Sequence, residues 1–181
     1  METIGKHILG YLIGITLFVI AIPAMLLYFI QFLDWKILIE SQYQNVLVAF
    51  AMVFFLLGIL FVIGSNLFLV LKGKGGPTEG LGVSVSPKTL QLVTSGPYKF
   101  TRNPMAFGML SIYYSLSFYL NSLVGLVLNV FITIIAVFYL RNSEEKRLFR
   151  DFGEAYISYK EQTPILIPYP KGLIRSLLSK E

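Results

Sequence analysis

The chain has 181 residues, of which 55% are hydrophobic and only 14% charged, and it carries a net charge of +5. Soluble domains run to about 45–50% apolar and about 25% charged, so the composition points to an integral membrane protein with a single membrane domain, 1–181. The absence of cysteine excludes a disulfide framework, a thiolate nucleophile and a Cys-ligated metal together.

The first apolar run, Ile8 to Leu33, carries no charge and exceeds the roughly 20 helical residues that cross a bilayer core. It is too long for a cleaved signal peptide and has no small-residue cleavage site after it. Pro23 is expected to bend this span, and Asp34-Trp35 closes it with an interfacial aromatic. The single histidine, His7, precedes the span without partners that would make it a metal ligand, and no metal is expected. A second uncharged run covers 46–71, where Gly64, Ser65 and Asn66 offer small or polar contacts to a neighbouring helix.

Residues 72–103 form a Gly- and Pro-rich loop. Its Gly73-Lys74-Gly75-Gly76 lacks the spacing and the Lys-Ser/Thr ending of a phosphate loop. Gly80-Leu81-Gly82 likewise fails the dinucleotide fingerprint, and both follow a membrane helix where a strand is required. The loop ends in Gly96-Pro97-Tyr98-Lys99-Phe100-Thr101-Arg102-Asn103-Pro104, a turn with two cations at the junction of water and lipid.

From Asn103 to Leu140 the chain is uncharged for 38 residues. That length suits two spans, 104–120 and 123–140, with Asn121-Ser122 as the hairpin tip. Pro104 is a good first helical residue because it lacks the N–H that would go unpaired there. Asn129 falls well inside the bilayer and is expected to face other helices. Charges return at once after Leu140 as Arg141, Glu144, Glu145, Lys146 and Arg147, so the two feet of the hairpin stand on one side of the membrane.

Residues 143–162 read as an amphipathic helix on which Glu145, Phe149, Phe152, Tyr156 and Tyr159 share one face. Periodicity alone leaves two roles open, a helix lying on the membrane with Glu145 at its wet edge and a ligand-binding helix. Pro164, Pro168 and Pro170 then end regular structure. Lys72, Lys74, Lys88, Lys99 and Arg102 in the central loop, with the basic tail, face the acidic 34–45 segment across the membrane. Positive charge marks the cytoplasmic side, so both termini and the loop are expected there, in the inner membrane of the cell. The net charge is accounted for by this asymmetry and by anionic membrane lipid, and no nucleic-acid partner is expected. The expected fold is therefore all-α: a polytopic membrane protein with about four transmembrane helices, a cytoplasmic loop and a C-terminal amphipathic helix.

Several motifs in order resemble the integral membrane methyltransferases that include isoprenylcysteine carboxyl methyltransferases and phospholipid N-methyltransferases. They are Gly96-Pro97-Tyr98, Arg102-Asn103-Pro104-Met105 with Gly108, Glu144-Glu145, Phe152-Gly153-x-x-Tyr156-x-x-Tyr159 and Pro168, with Gly73 to Pro77 similar to a loop of bacterial members. The similar region is 72–170. The resemblance implies S-adenosylmethionine as cofactor and a lipid or prenylated small molecule, entering from the bilayer, as acceptor. It carries cofactor contacts onto Tyr98, Arg102, Asn103, Pro104, Met105, Gly108, Glu144, Glu145, Tyr156 and Tyr159, with Arg102, Glu144 and Glu145 as the catalytic candidates. Asn103 stands where His is commoner, and Ala106 where many members have Tyr.

Methyl transfer from a sulfonium is an in-line displacement on an activated donor, so alignment and exclusion of water are what the protein must supply. Glu144 or Glu145 suits the cofactor's cationic groups, and Arg102 suits a carboxylate. An isoprenylcysteine-type carboxylate is the acceptor expected first, because it is nucleophilic without losing a proton. The alternatives are a phosphatidylethanolamine amine, which needs a base, and a non-catalytic membrane protein on the same scaffold.

Overall fold

The computed structural model describes residues 2–33, 43–73, 79–80, 83–84 and 89–168. Asp34-Trp35, most of the Gly73 to Pro77 motif, Leu81-Gly82 and Pro170 lie outside the described residues. The helices are α1 (Glu2–Gly14), α2 (Ile22–Leu33), α3 (Gln44–Phe68), α4 (Pro104–Tyr119), α5 (Leu123–Tyr139) and α6 (Glu145–Gln162). Three π-helical stretches, Ile15–Ala21, Leu69–Gly73 and Leu140–Glu144, continue them without a break. The described loop adds a two-residue antiparallel pairing, Glu79 with Ser84 and Gly80 with Val83. The architecture is the expected all-α membrane fold.

Among the described residues three helical stretches are long and apolar enough to cross a membrane, Ile8–Leu33, Gln44–Gly73 and Leu123–Gln162. The fourth expected span does not meet that measure. α4 has 16 residues, bounded by Pro104 and by the turn after Tyr119, against the roughly 20 that a crossing takes. It lies between α3 and α5 and carries buried Ser111, Tyr113, Ser115 and Ser117. By contrast, Leu56 and Leu60 on α3 and Ile135 and Phe138 on α5 are each more than 60% exposed, a surface suited to lipid and not to water.

Pro23 acts through the turn before it. In the π stretch the N–H of residue i reaches the carbonyl of i−5, as Ile22 does to Leu17. The next donor in that register is Pro23, which has no N–H, so the Phe18 carbonyl loses its partner. The Tyr113 hydroxyl of α4 donates to that carbonyl at 2.5 Å and so pins the first span to the hairpin.

α3 and α4 make the broadest helix contact in the molecule, and two glycines allow it. A Cβ on Gly108 would lie 2.8 Å from the Gly58 carbonyl oxygen and 2.9 Å from the Val62 nitrogen, so the backbones touch. Phe61 and Phe107 meet edge-on beside this point at 4.9 Å. The α4–α5 turn puts Asn121 in the left-handed region at φ 50°, and the Ser122 side chain caps α5 by accepting from the Gly125 N–H at 3.0 Å. Asn129 does face a neighbouring helix. Its Nδ2 donates to the Tyr113 carbonyl at 2.9 Å and to Ser117 Oγ at 2.8 Å. The central core is Leu26, Ile30, Leu110, Tyr113, Leu140 and Leu166.

The shared face expected along 143–162 is not continuous. Gly153 has φ 52° and ψ −130°, a backbone state open essentially to glycine, and it kinks α6 in the middle. Glu145, Tyr156 and Tyr159 are buried, whereas Phe149 between them is 51% exposed.

Candidate functional site

Gly96–Lys99 forms a single 3-10 turn with Pro97 at its start. Gly96 has φ 62°, and a Cβ there would fall 2.5 Å from the Phe68 ring, so the turn is docked on the end of α3. Lys72 braces the junction, donating to Ser95 Oγ at 2.9 Å with its ammonium 5.1 Å from the centre of the Phe68 ring. The Tyr98 carbonyl accepts from the Tyr159 hydroxyl at 2.6 Å. This bond ties the turn to the second half of α6.

Thr101, Arg102 and Asn103 hold a strap formed by 163–168. Thr101 is fully buried, and its Oγ1 donates to the Ile165 carbonyl at 3.3 Å. The Arg102 N–H donates to the Pro164 carbonyl at 2.9 Å, and Asn103 Nδ2 to the Ile165 carbonyl at 2.8 Å. Asn103, where a titratable His is commoner in the resembled family, is thus a donor to backbone. Strap residue Leu166 enters the hydrophobic core.

Arg102 organises the centre. Its Nη1 donates to the carbonyls of Lys160 at 2.8 Å and Thr163 at 2.5 Å, and its Nη2 pairs with Glu145 Oε1. The second carboxylate oxygen, Oε2, accepts from Lys160 Nζ at 2.5 Å. The Arg102 and Glu145 side chains are each only 8% exposed, so this is a buried charge pair with a third member at its edge. The sequence left Glu144 and Glu145 equivalent, and the π stretch separates them. The Glu145 N–H reaches back five residues to Leu140, and that widened turn brings Glu145 round to Arg102. Glu144 pairs instead with Arg147, at 3.0 Å.

Tyr156 and Tyr159 close the site, their ring centres 6.4 Å apart. Burial, and then the Glu145 carboxylate, push the Tyr156 hydroxyl up to about 12 against the opposing pull of Arg102. Burial also raises Tyr98 and Tyr159 well above the ordinary tyrosine value, and the Glu144 charge adds to the effect on Tyr98. Among the described residues the Tyr156 hydroxyl and Arg102 Nε are buried with no well-aligned hydrogen-bond partner, and the hydroxyl lies beside the Arg102 guanidinium.

The structure brings Tyr98, Arg102, Asn103, Glu145, Tyr156 and Tyr159 together at one end of the hairpin. Pro104 and Met105 begin α4 directly beside them. Gly108, one turn further on, serves the α3 crossing, and Glu144 pairs with Arg147 while its charge reaches Tyr98 and Tyr156. Lys160 and Thr101 were missed by sequence reasoning. Lys160 meets Glu145 only because Gly153 turns the helix, and nothing in helical spacing signals that pairing.

The sequence model of the phospholipid methyltransferase family matches residues 46–155. The chain belongs to this family. No curated protein and no solved structure is significantly similar to it. As a phospholipid methyltransferase family member with three helices fit to cross a membrane, the chain is a multi-pass membrane methyltransferase. The match begins in α3 and ends in α6, so the Arg102–Glu145 pair falls inside it and Tyr156, Lys160 and the strap lie just beyond. Among the described residues no group of three or more His, Cys, Asp and Glu is arranged to hold a metal ion.

Proposed function

We propose that this protein transfers a methyl group from S-adenosylmethionine to a lipid-borne acceptor, at the hairpin end where Arg102 and Glu145 meet. The observation that carries this reading is a buried carboxylate held between a fixed guanidinium and a solvent-reachable ammonium. That arrangement is suited to an amino-acid-like ligand with a cationic group. Glu145 would seat the cofactor's ammonium. Tyr98, Tyr156, Tyr159, Asn103, Pro104 and Met105 would line the pocket around it, and Gly108 would keep the helix in place. Glu144 keeps Arg147 in position and adds negative charge nearby.

The bound cofactor supplies a methyl on a positively charged sulfur. An acceptor atom forms the new bond to carbon as the carbon–sulfur bond breaks, and sulfur keeps the electron pair. Arg102 acts by holding Glu145 and the strap in place, since both its Nη atoms are committed to carbonyls and carboxylate. Alignment of this kind is the main contribution a protein can make to such a displacement.

For the acceptor we favour a carboxylate of the isoprenylcysteine type. Both carboxylates at the site are already matched by cations, Glu145 by Arg102 and Lys160 and Glu144 by Arg147. Each of their oxygens already accepts from one of these cations, and a carboxylate acceptor needs no base because it is already ionised near neutrality. The family match supports a second reading, a phospholipid amine, whose ammonium must first lose a proton. The charge pattern of the sequence supports placing this end of the molecule in the cytoplasm.

Labelled S-adenosylmethionine incubated with prenylcysteine and phosphatidylethanolamine acceptors tests the assignment. Label in the prenylcysteine ester is the expected result, label in the phospholipid supports the second reading, and label in neither overturns the acceptor class. Glu145→Gln is expected to weaken binding of S-adenosylhomocysteine by about 1.5–3 kcal/mol, the worth of a hydrogen bond to a charged group. A Lys99→Cys variant in intact cells should resist a membrane-impermeant thiol reagent, and its labelling would overturn the cytoplasmic placement.

A further inference from the structure

Glu145 is bound by two cations of unlike mobility. Arg102 is 8% exposed and tied to the carbonyls of Lys160 in α6 and of Thr163 and Pro164 in the strap, so it cannot leave without opening the segment it holds. Lys160 reaches the other oxygen on a flexible four-carbon stem, and its side chain is 49% exposed. A compact, strongly hydrated ammonium on such a stem gains hydration readily when it turns outward. Its backbone does not have to follow, because the Lys160 carbonyl stays hydrogen-bonded to Arg102.

From this geometry we infer that Lys160 is an exchangeable counterion, an internal ammonium that occupies the Glu145 Oε2 position until the ammonium of the cofactor displaces it. The inference rests on the proposed role of Glu145 as the seat of that cofactor group. A carboxylate with only 7% of its residue exposed is costly to leave with one oxygen unmatched, and Lys160 supplies the match while no ligand is bound. Entry of a ligand ammonium then replaces one charge-assisted hydrogen bond with another of the same kind, and no net charge is buried. Lys160 therefore sets the affinity for an ammonium-bearing ligand by competing with it. It is a specificity residue for that group and touches neither the transferred methyl nor the acceptor.

The test compares wild type, Lys160→Met and Glu145→Gln, each as full-length protein in detergent, by titration calorimetry. The probes are S-adenosylhomocysteine, which carries the ammonium, and 5′-methylthioadenosine, which shares the nucleoside and sulfur but has no ammonium. Lys160→Met keeps the aliphatic stem and removes the competitor. It should bind S-adenosylhomocysteine roughly three- to tenfold more tightly than wild type, the range expected for a partly exposed ion pair that no longer has to be broken. Its affinity for 5′-methylthioadenosine should stay within about twofold of wild type. Equal or weaker binding of S-adenosylhomocysteine by Lys160→Met overturns the inference, and so does an equal gain for both probes. Glu145→Gln separates the two levels. If it binds S-adenosylhomocysteine as wild type does, the seat of the ammonium is wrong and the exchange falls with it. If it binds more weakly while Lys160→Met gains nothing, only the exchange is wrong. No binding by wild type overturns both.

Discussion

The α3–α4 crossing and the Arg102–Glu145 end of the hairpin solve opposite packing problems less than two helical turns apart along α4. At the crossing two glycines bring no side chain of their own, and the backbones of Gly58 and Gly108 come into contact. At the site end a guanidinium and a carboxylate are buried together, and backbone carbonyls of α6 and the strap take up further donors. The first region is held by close apolar packing and the second by matched charge. The crossing fixes where α4 begins, and the charge pair fixes what gathers around that point.

The largest effect should come from unmatching the charge. Arg102→Ala leaves Glu145 buried with only Lys160 at its edge and frees the carbonyls of Lys160 and Thr163. Breaking a buried pair by removing one partner costs about 3–5 kcal/mol. The expected outcome is a large loss of thermal stability together with protease sensitivity of the strap. Arg102→Lys should recover only part of it, because an ammonium cannot serve a carboxylate and two carbonyls in a fixed fork. Full stability in Arg102→Ala would show that the strap is held by Leu166 and the core instead.

Overfilling the crossing should come next. Gly108→Ala places a methyl against the Gly58 carbonyl and the Val62 nitrogen, both backbone atoms that cannot rotate away. A cost of about 1–3 kcal/mol is expected from such overpacking. Cofactor binding should suffer less than stability, which distinguishes a packing role for Gly108 from the ligand contact implied by the resemblance. A loss of binding at unchanged stability would reverse that conclusion.

These two regions were unequally legible in the sequence. The uncharged runs, the turn at Asn121-Ser122 and the Arg102 and Glu145 motifs are local patterns; helices follow the runs, and Arg102 and Glu145 lie side by side. The sequence could not separate Glu144 from Glu145, because their order along the chain carries no sign of a widened turn at Leu140. It also overextended the stripe through Phe149. Helical spacing assumes a continuous helix, and Gly153 was counted as one more residue in it. Lys160 lies beyond that kink, so its meeting with Glu145 depends on a backbone state that no periodicity encodes.

A smaller effect should follow from loosening the tie between the first span and α4. Tyr113→Phe removes the hydroxyl that fills the Phe18 carbonyl left without a partner by Pro23. A destabilisation of about 1 kcal/mol is expected for one lost hydrogen bond to backbone. Restoring the N–H with Pro23→Ala should relieve part of the loss in the double variant, because residue 23 then donates to Phe18 itself. Strict additivity of the two substitutions would show that the Tyr113 bond and the Pro23 gap are unrelated.

The smallest expected change is in pH dependence, and it again separates chemistry from packing. Tyr156 is raised to about 12, and Tyr98 and Tyr159 are raised well above the ordinary value of about 10. All three keep their protons near neutrality, and a carboxylate acceptor is ionised there. Methyl transfer should therefore be nearly flat from roughly pH 6 to 9, where a tuned general base would titrate. Stability behaves differently at higher pH. Each of these tyrosines holds its proton more tightly in the folded chain, so above about pH 10 the folded state binds more protons than the unfolded one. Their contribution is complete below that point and is lost as pH rises through the folded values, with Tyr156 reached at about 12. Thermal unfolding followed alongside tyrosinate absorbance should show the melting point falling across that window, with late ionisation of the buried tyrosines. A steep rise of methyl transfer between pH 6 and 9, seen with a phosphatidylethanolamine acceptor, would instead show that a base titrates in the site and would move the assignment to the amine.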